Sequence, residues 1–515
     1  MAKTCGIVAV AIEREIAPHR GRLFITEPVS APSCGSTRRS TAVSKYTFSL
    51  AFEKHVPKVD LPLSDQRKAW FKEFMKPFIM VTLLYSTMYF VRDDFKAAQP
   101  LLKQQMGLTT QQLGLVGFAF SVAYGLGKIV VGYIVTNKDN KKVASIMLLA
   151  ASVVVMCVGF LLTMSQVPFG WLLSLWAVNG VIQCAAGPAC AGTILNWTTS
   201  KNYGRYYGAW SASHNIGGGL AGIFSLWCAQ TFFHGHVYGM FIAPALVAFV
   251  VAFVCFFVGK NRPEDLGWGT AEEIFDEPPK AEDQESSNDS TWELFRKYLL
   301  ANPLVWVLCF SDVFAYVLRV GIDNWSSLRV TEQLGFSNEV GAQAIFYFGM
   351  GSMIGCIIWG AISDAFGGRP GLVSLIDLGL APIPLVAYQF AKTPMTVMVS
   401  LFFLGMFAFG PQVLIAISQF AVVPKKAAAL AGGILGAFAY LLGDSTGKLV
   451  LARIADSTAS GITMFGHVFH GWNDTFALLY GAIACSFLLQ IIVTVHEERK
   501  IRSTRKLAAA KKTED

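Results

Sequence analysis

The chain has 515 residues, 53% of them hydrophobic and 15% charged, with a formal charge of +8 and a mean hydropathy of +0.47. Soluble domains are about a quarter charged, so this composition excludes an ordinary soluble protein and points to a chain immersed in lipid. The excess of cations lies in a basic tail, HEERKIRSTRKLAAAKK, and in short loops such as NKDNKK at 137–142 and PKK at 424–426. That distribution argues against a nucleic-acid partner and for loops on the cytoplasmic side of a membrane.

Residues 1–60 are rich in Ser, Thr, Arg and Pro, as in RGRLFITEPVSAPSCGSTRRSTAVSKY, and read as a disordered extension with no secretory signal. An organellar transit sequence and a start assigned too far upstream both remain open. The acids Glu13, Glu15, Glu27 and Glu53 count against the transit reading. Beyond it, a helix needs about 20 mostly apolar residues to cross the hydrocarbon. Twelve runs of this kind are predicted, near 77–98, 111–136, 143–165, 170–196, 205–230, 237–259, 302–326, 340–362, 371–391, 394–420, 427–453 and 473–495. No soluble domain of any size is left over, so the expected fold is an all-α membrane bundle. With both termini cytoplasmic, the basic loops at 137–142, 201–205 and 424–426 fall inside, although Lys96, Lys103, Arg329, Lys392 and Arg453 at span ends blur the contrast. The ten cysteines show no CxxC pair; those inside spans, such as Cys157, Cys255 and Cys485, read as small packing residues.

Between 260 and 300 apolar content collapses and acids, Pro and Ser dominate. This stretch reads as a cytoplasmic linker between an N-terminal half, 61–259, and a C-terminal half, 301–495, followed by a basic tail, 496–515. The halves match in detail. YFVR at 89–92 pairs with YVLR at 316–319, Gly132 with Gly360, and Gly187-Pro188 with Gly410-Pro411. Several matches at nearly constant offset indicate an internal duplication and twelve spans in two pseudo-symmetric six-helix halves, a signature of transporters. The segment GAISDAFGGRP at 360–370, with a degenerate partner GYIVTNKDNKK at 132–142, resembles the loop motif of major facilitator superfamily transporters. A polar loop of turn residues, with Asp364 and Arg369 near a helix end, would read the same without that likeness.

Arg92 and Arg319 stand inside apolar runs, about 15 residues after Pro77 and about 16 after Pro303, so they are expected at similar depth, one per half. A charge at a helix centre costs roughly 2.5–3.5 kcal/mol even on lenient scales, and intramembrane ions usually mark a substrate path. Two facing guanidiniums call for an anion, and their fixed fork of donors suits phosphate or carboxylate oxygens. Two blander readings compete. Arg319 can pair with Asp323 one turn on, and Arg92 can snorkel toward the interface beside Asp93, Asp94 and Lys96. Lys128, among glycines and apolar residues, and His214, heading the run HNIGGG, add a cation and a titratable donor.

YFVRDDFKAAQP, WSASHNIGGG, YVLRVGIDNWS, FGPQ, VPKKA and FAYLLGDSTGKL together resemble the organophosphate:phosphate antiporter family. They are most similar to its hexose-6-phosphate branch, which includes sensor-like relatives. The likeness covers about residues 58–506. It implies that Arg92 and Arg319 are the paired phosphate-binding arginines and that Lys128 and His214 are accessory. It also implies that Asp444 and Lys448 form an acid–base pair bearing on sugar-phosphate selectivity, although an i,i+4 pair of this kind is self-neutralising and can be structural. Two departures stand out: Asp93 follows Arg92 where the family usually has a basic residue, and a helix 8 acid is replaced near Gly349. Asp93 and Asp323 are accordingly candidates for selectivity or gating.

The resemblance implies an antiporter exchanging hexose 6-phosphate, such as glucose 6-phosphate, for inorganic phosphate by alternating access. It would be a monomer in the bilayer of a bacterial inner membrane, or in an organellar envelope if 1–60 is a transit sequence. A sugar-phosphate sensor with little transport and an exchanger of glycerol 3-phosphate or another organophosphate are the alternatives. No GxSxG, P-loop, cofactor motif or metal spacing suggests an enzyme.

Overall fold

The computed structural model describes residues 58–59, 61–135, 138–199, 202–276, 291–423, 427–456, 460–464 and 466–514; the expectations for 1–57 and for the PKK loop lie outside them. Ten helices among these residues are long and apolar enough to cross a membrane. In chain order the long helices are α1 (Leu63–Met106), α2 (Thr110–Val135), α3 (Asn140–Leu161), α4 (Phe169–Trp197), α5 (Tyr203–Phe232) and α6 (Gly239–Phe257). They continue with α7 (Pro303–Glu332), α8 (Asn338–Ala365), α9 (Pro370–Gln389), α10 (Pro394–Ala421), α11 (Leu430–Ala455) and α12 (Trp472–Glu514). The ten exclude α2 and α5; α5 is diluted by its glycines, Asn215 and Gln230. The chain is an integral membrane protein with an all-helical fold.

Local chemistry sets the ends. Gly107 closes α1 in the left-handed region, φ 67°, where its N–H donates to the Lys103 carbonyl and the following Leu108 N–H to that of Leu102. Asn302 caps α7 by accepting from the Leu304 N–H, with Pro303 at the first helical position. Thr393 and Thr396 form a reciprocal cap at α10, again with a proline next.

Three stretches differ from the sequence expectation. α1 starts at Leu63, well before Pro77, because Trp70 and Phe74 on its polar extension bury against Trp197, Trp268 and Ile274. The first part of the expected linker is therefore ordered. A short helix, Ala271–Phe275, docks on α1, where Arg67 Nε donates to the Ile274 carbonyl at 2.8 Å. At the other end α12 continues as helix through the basic tail to Glu514, and its Glu497 and Glu498 hold the loop before α9: Glu497 accepts the Leu372 N–H at 3.2 Å and Glu498 pairs with Arg369 at 3.0 Å. Cys255 is buried, but Cys157 and Cys485 are exposed on the outside of the bundle rather than packed in it.

Helix contacts repeat in a pattern. α1 packs along α5 and α7 along α11; α2 along α4 and α8 along α10; α3 along α6 and α9 along α12; α5 crosses α8 as α11 crosses α2. Without water to drive helices together, such contacts depend on close van der Waals fit, which small residues permit. Gly351 of α8 is pressed so tightly on α10 that a Cβ there would collide with the Phe402 carbonyl oxygen. Gly351→Ala is expected to cost about 1–3 kcal/mol through overpacking, read as a lower thermal unfolding midpoint in detergent; an unchanged midpoint would contradict this packing.

Candidate functional site

Residues of α1, α2, α4, α5, α7, α8, α10 and α11 line one cavity of about 810 Å³ free of protein atoms, part of it open to solvent. Both Arg92 and Arg319 are in its wall. The Arg92 guanidinium lies among three rings, 5.2 Å from the Tyr89 centroid, 4.9 Å from Phe120 and 5.0 Å from Tyr124. That of Arg319 covers Phe409 at 3.7 Å, and its Nη1 donates to Gln412 Oε1 at 2.7 Å while its buried Nε has no partner. Aromatic faces stabilise a desolvated cation by about 0.5–2 kcal/mol without neutralising it, so both charges stay available to a ligand.

Neither bland reading of the arginines describes this arrangement. Among the described residues no carboxylate pairs with either one. Asp323, expected on Arg319, is instead bound by Lys96 of α1, which also meets Asp93 at 3.0 Å. Arg92 stays in the cavity wall. The acids that looked like its partners are engaged elsewhere, Asp93 with Lys96 and Asp94 with the Phe95 N–H at 2.7 Å.

Lys448 and Asp444, also in the wall, form the expected i,i+4 pair at 3.0 Å, and Lys448 Nζ reaches across to Ser121 Oγ of α2 at 2.6 Å. His214 lines the cavity with its ring 5.2 Å from Tyr89 and 6.2 Å from Phe409. Its Nδ1 faces the Ser211 carbonyl and therefore carries a hydrogen. In the neutral ring Nε2 is then an acceptor, and it donates to an anion only once protonated. Lys128 is not in the lining. Its Nζ lies over Tyr124 at 5.1 Å and Tyr440 at 4.7 Å, two rings that meet at 4.8 Å between α2 and α11. Of these two rings, Tyr440 lines the cavity. Gly349 faces the Asn215 carbonyl oxygen of α5, 3.2 Å from where a Cβ would stand.

Sequence reasoning met Lys96 only as a neighbour of Arg92 and a span-end cation, and did not single out Gln412 or the tyrosines Tyr89, Tyr316 and Tyr440 as site residues. Lys96 had a readable signal, one helical turn from Arg92 and three residues from Asp93. Gln412 directly follows the Gly-Pro pair that aligned the halves. The aromatic residues are too common in apolar runs to stand out.

Further bonds between the helices cluster at the end where α1 gives way to α2. Lys103 pairs with Glu332 of α7 at 2.5 Å, the Gln111 N–H donates to Asp456 at 2.9 Å, and Gln230 of α5 donates to Glu339 of α8.

Long apolar helices around an internal cavity with two uncompensated cations define a polytopic membrane transporter. The family profile described as Major Facilitator Superfamily matches residues 78–447, and the chain belongs to that superfamily. It is 41% identical over 464 residues, 89% of this chain and 98% of the relative, to the hexose-6-phosphate:phosphate antiporter of Escherichia coli strain K12. The membrane sensor protein UhpC of the same strain is 31% identical over 74% of this chain and 85% of its own. The glycerol-3-phosphate transporter of Bacillus subtilis strain 168 is 29% identical over 79% of this chain and 88% of its own. Among solved structures, a bacterial homolog of the human lysosomal transporter Spinster, inward-facing and unoccupied, matches with a TM-score of 0.58 at 14% identity, over 81% of this chain and 94% of that one. The nucleoside transporter NupG matches with 0.57 at 13%, over 81% and 99%. These two likenesses speak for the fold alone.

Removing the shared cation of the Asp93–Lys96–Asp323 group leaves two enclosed carboxylates without a counter-charge. Lys96→Met is expected to destabilise by about 3–5 kcal/mol, whereas Asp93→Asn, which keeps the Lys96–Asp323 pair, costs much less. Thermal unfolding of the purified variants ranks them; equal midpoints would refute the shared role of Lys96.

Proposed function

We propose that the protein exchanges a hexose 6-phosphate, such as glucose 6-phosphate, for inorganic phosphate, with the anion bridging Arg92 and Arg319. The observation that carries this reading is the charge pattern of the cavity: every other charge in the wall has a partner of opposite sign, and only the two arginines are held by rings and an amide. A guanidinium offers two parallel donors to phosphate oxygens. The 41% identity to an antiporter of hexose 6-phosphate and phosphate, over almost its whole length, supports the same substrate pair.

The architecture proposed around the site is twelve spans in two six-helix halves, 61–259 and 301–495, joined by the 260–300 linker. The recurring pairings α1·α5 with α7·α11, α2·α4 with α8·α10 and α3·α6 with α9·α12 support it, as does the near-constant spacing of the matched motifs. The monomer lies in a bacterial inner membrane with both termini and the 496–515 tail in the cytoplasm. In that orientation the bonds Lys103–Glu332, Gln111–Asp456 and Gln230–Glu339 close the outer end.

An anion attracted by both arginines draws α1 and α7 together and favours closure; an empty site holds two like charges that resist it. Exchange then becomes obligatory, because the protein reorients only when loaded. Lys448 and Asp444, with Ser121, are placed to meet the sugar end of the substrate, His214 and Lys128 adjust the potential, and Asp93 and Asp323 set, through Lys96, how readily the α1–α7 contact parts.

Phosphate-loaded proteoliposomes test the reading. Labelled glucose 6-phosphate should accumulate, and Arg92→Lys and Arg319→Lys should each slow exchange about 10- to 100-fold, the equivalent of losing about 1.5–3 kcal/mol of a charged hydrogen bond. Undiminished exchange in both variants refutes the bridge. Binding without accumulation would indicate the sensor alternative, and preference for glycerol 3-phosphate the organophosphate one.

A further inference from the structure

Arg319 is steadied by a side chain of α10, but Arg92 has no hydrogen-bond partner among the described residues, so beside the rings around it its aim depends on its own backbone. That backbone is broken one residue earlier. Val91 has φ −94° and ψ 23°, against a helical ψ of about −42°. Kinks have identifiable causes such as proline, glycine or an inserted side chain. The prolines of α1, Pro77 and Pro100, are remote from Val91, and inserted side chains account for the break.

They are present on both sides of the break. The buried Val91 carbonyl accepts from Asn179 Nδ2 at 3.0 Å and Gln183 Nε2 at 3.1 Å, both from α4, and the two amides are joined by a 3.0 Å bond from Gln183 Nε2 to Asn179 Oδ1. The Phe95 N–H, the usual donor to that carbonyl in an unbroken helix, donates to Asp94 Oδ1 at 2.7 Å. Asp94 and Asn179 are 0% exposed and Gln183 2%. Polar side chains so deeply buried in an apolar bundle are costly unless they satisfy something, and here they satisfy the two groups that a break in α1 releases.

We propose that Asp94, Asn179 and Gln183 are positioning residues for Arg92, holding α1 open immediately before the guanidinium so that it points into the cavity. Without them α1 regains its regular ladder at Val91, which turns residue 92 about the helix axis and away from the anion. The clamp rests on the exchange reading for its functional meaning. It predicts a loss of substrate affinity, because Arg92 no longer meets the anion squarely.

The test is half-saturation and maximal rate of phosphate exchange in proteoliposomes of the full chain. Asn179→Leu combined with Gln183→Met should raise the half-saturation constant for phosphate about tenfold. Each single change, which leaves one donor on the carbonyl, should raise it about threefold. Asp94→Asn, whose side-chain oxygen still accepts from Phe95, should behave as the parent, and Asp94→Leu should resemble the double variant. If the double variant does not insert, the two single variants carry the test. An unchanged half-saturation constant in both single variants, a fall confined to maximal rate, or Asp94→Asn as impaired as Asp94→Leu overturns the clamp. A parent protein that binds but does not exchange would overturn the exchange reading instead, and phosphate-dependent thermal stabilisation of the same variants then reports on the clamp by itself.

Discussion

Hydrocarbon is so poor a solvent for ions that a charge placed in it is costly unless it is answered close by, and the wall of the cavity is arranged around that requirement. Lys448 answers Asp444, Lys96 answers Asp93 and Asp323, and Lys103 answers Glu332. Arg92 and Arg319 are the exceptions in the cavity wall. Rings lessen the cost of burying them without cancelling their charge, so the missing counter-charge is left for the cargo. On the proposed exchange reading, binding and desolvation are one event: the anion loses water and gains two guanidiniums that have no counter-charge among the described residues.

The two arginines are nevertheless secured by different means. Arg319 stands on an unbroken helix and is steered by Gln412 through its side chain, while Arg92 is steered through its main chain by residues of α4. A side-chain tether can yield as a substrate is drawn in; a backbone clamp cannot without breaking several buried bonds. On the proposed reading, the two arms of the site are thus held by different kinds of bond, one through a side chain and one through the main chain. The adjacent acids Asp93 and Asp94 belong to separate devices, the first an ion pair beside the cavity, the second a partner for the break.

The long apolar runs, their order, and the pairing of Arg92 with Arg319 could be read from the sequence because hydropathy and repetition are local properties of a chain. The cavity's aromatic lining could not, since rings in lipid-buried runs carry no distinguishing mark. Nor could the fate of Asp323. Sequence proximity offered Arg319 at one turn, but its partner came from 227 residues away, where only the fold brings α1 beside α7. The early start of α1 was hidden for a related reason: its polar first turns look unfit for a helix until Trp70 and Phe74 find the segment after α6 to bury against. Asn179 and Gln183 carry no distinguishing mark in the sequence, because what they bind is a backbone atom that only a distorted helix exposes.

Lys96 and Asp323 are separated by the same 227 positions that separate Arg92 from Arg319. In a two-half repeat they are thus equivalent residues, and equivalent residues touch one another only where the pseudo-twofold axis passes between them. At such a point a freshly duplicated chain would have set identical side chains face to face, two lysines or two aspartates repelling in a medium that screens poorly. On the proposed two-half reading, the Lys96–Asp323 bridge sets opposite charges where two identical charged copies would repel, so the halves differ at the point where they meet.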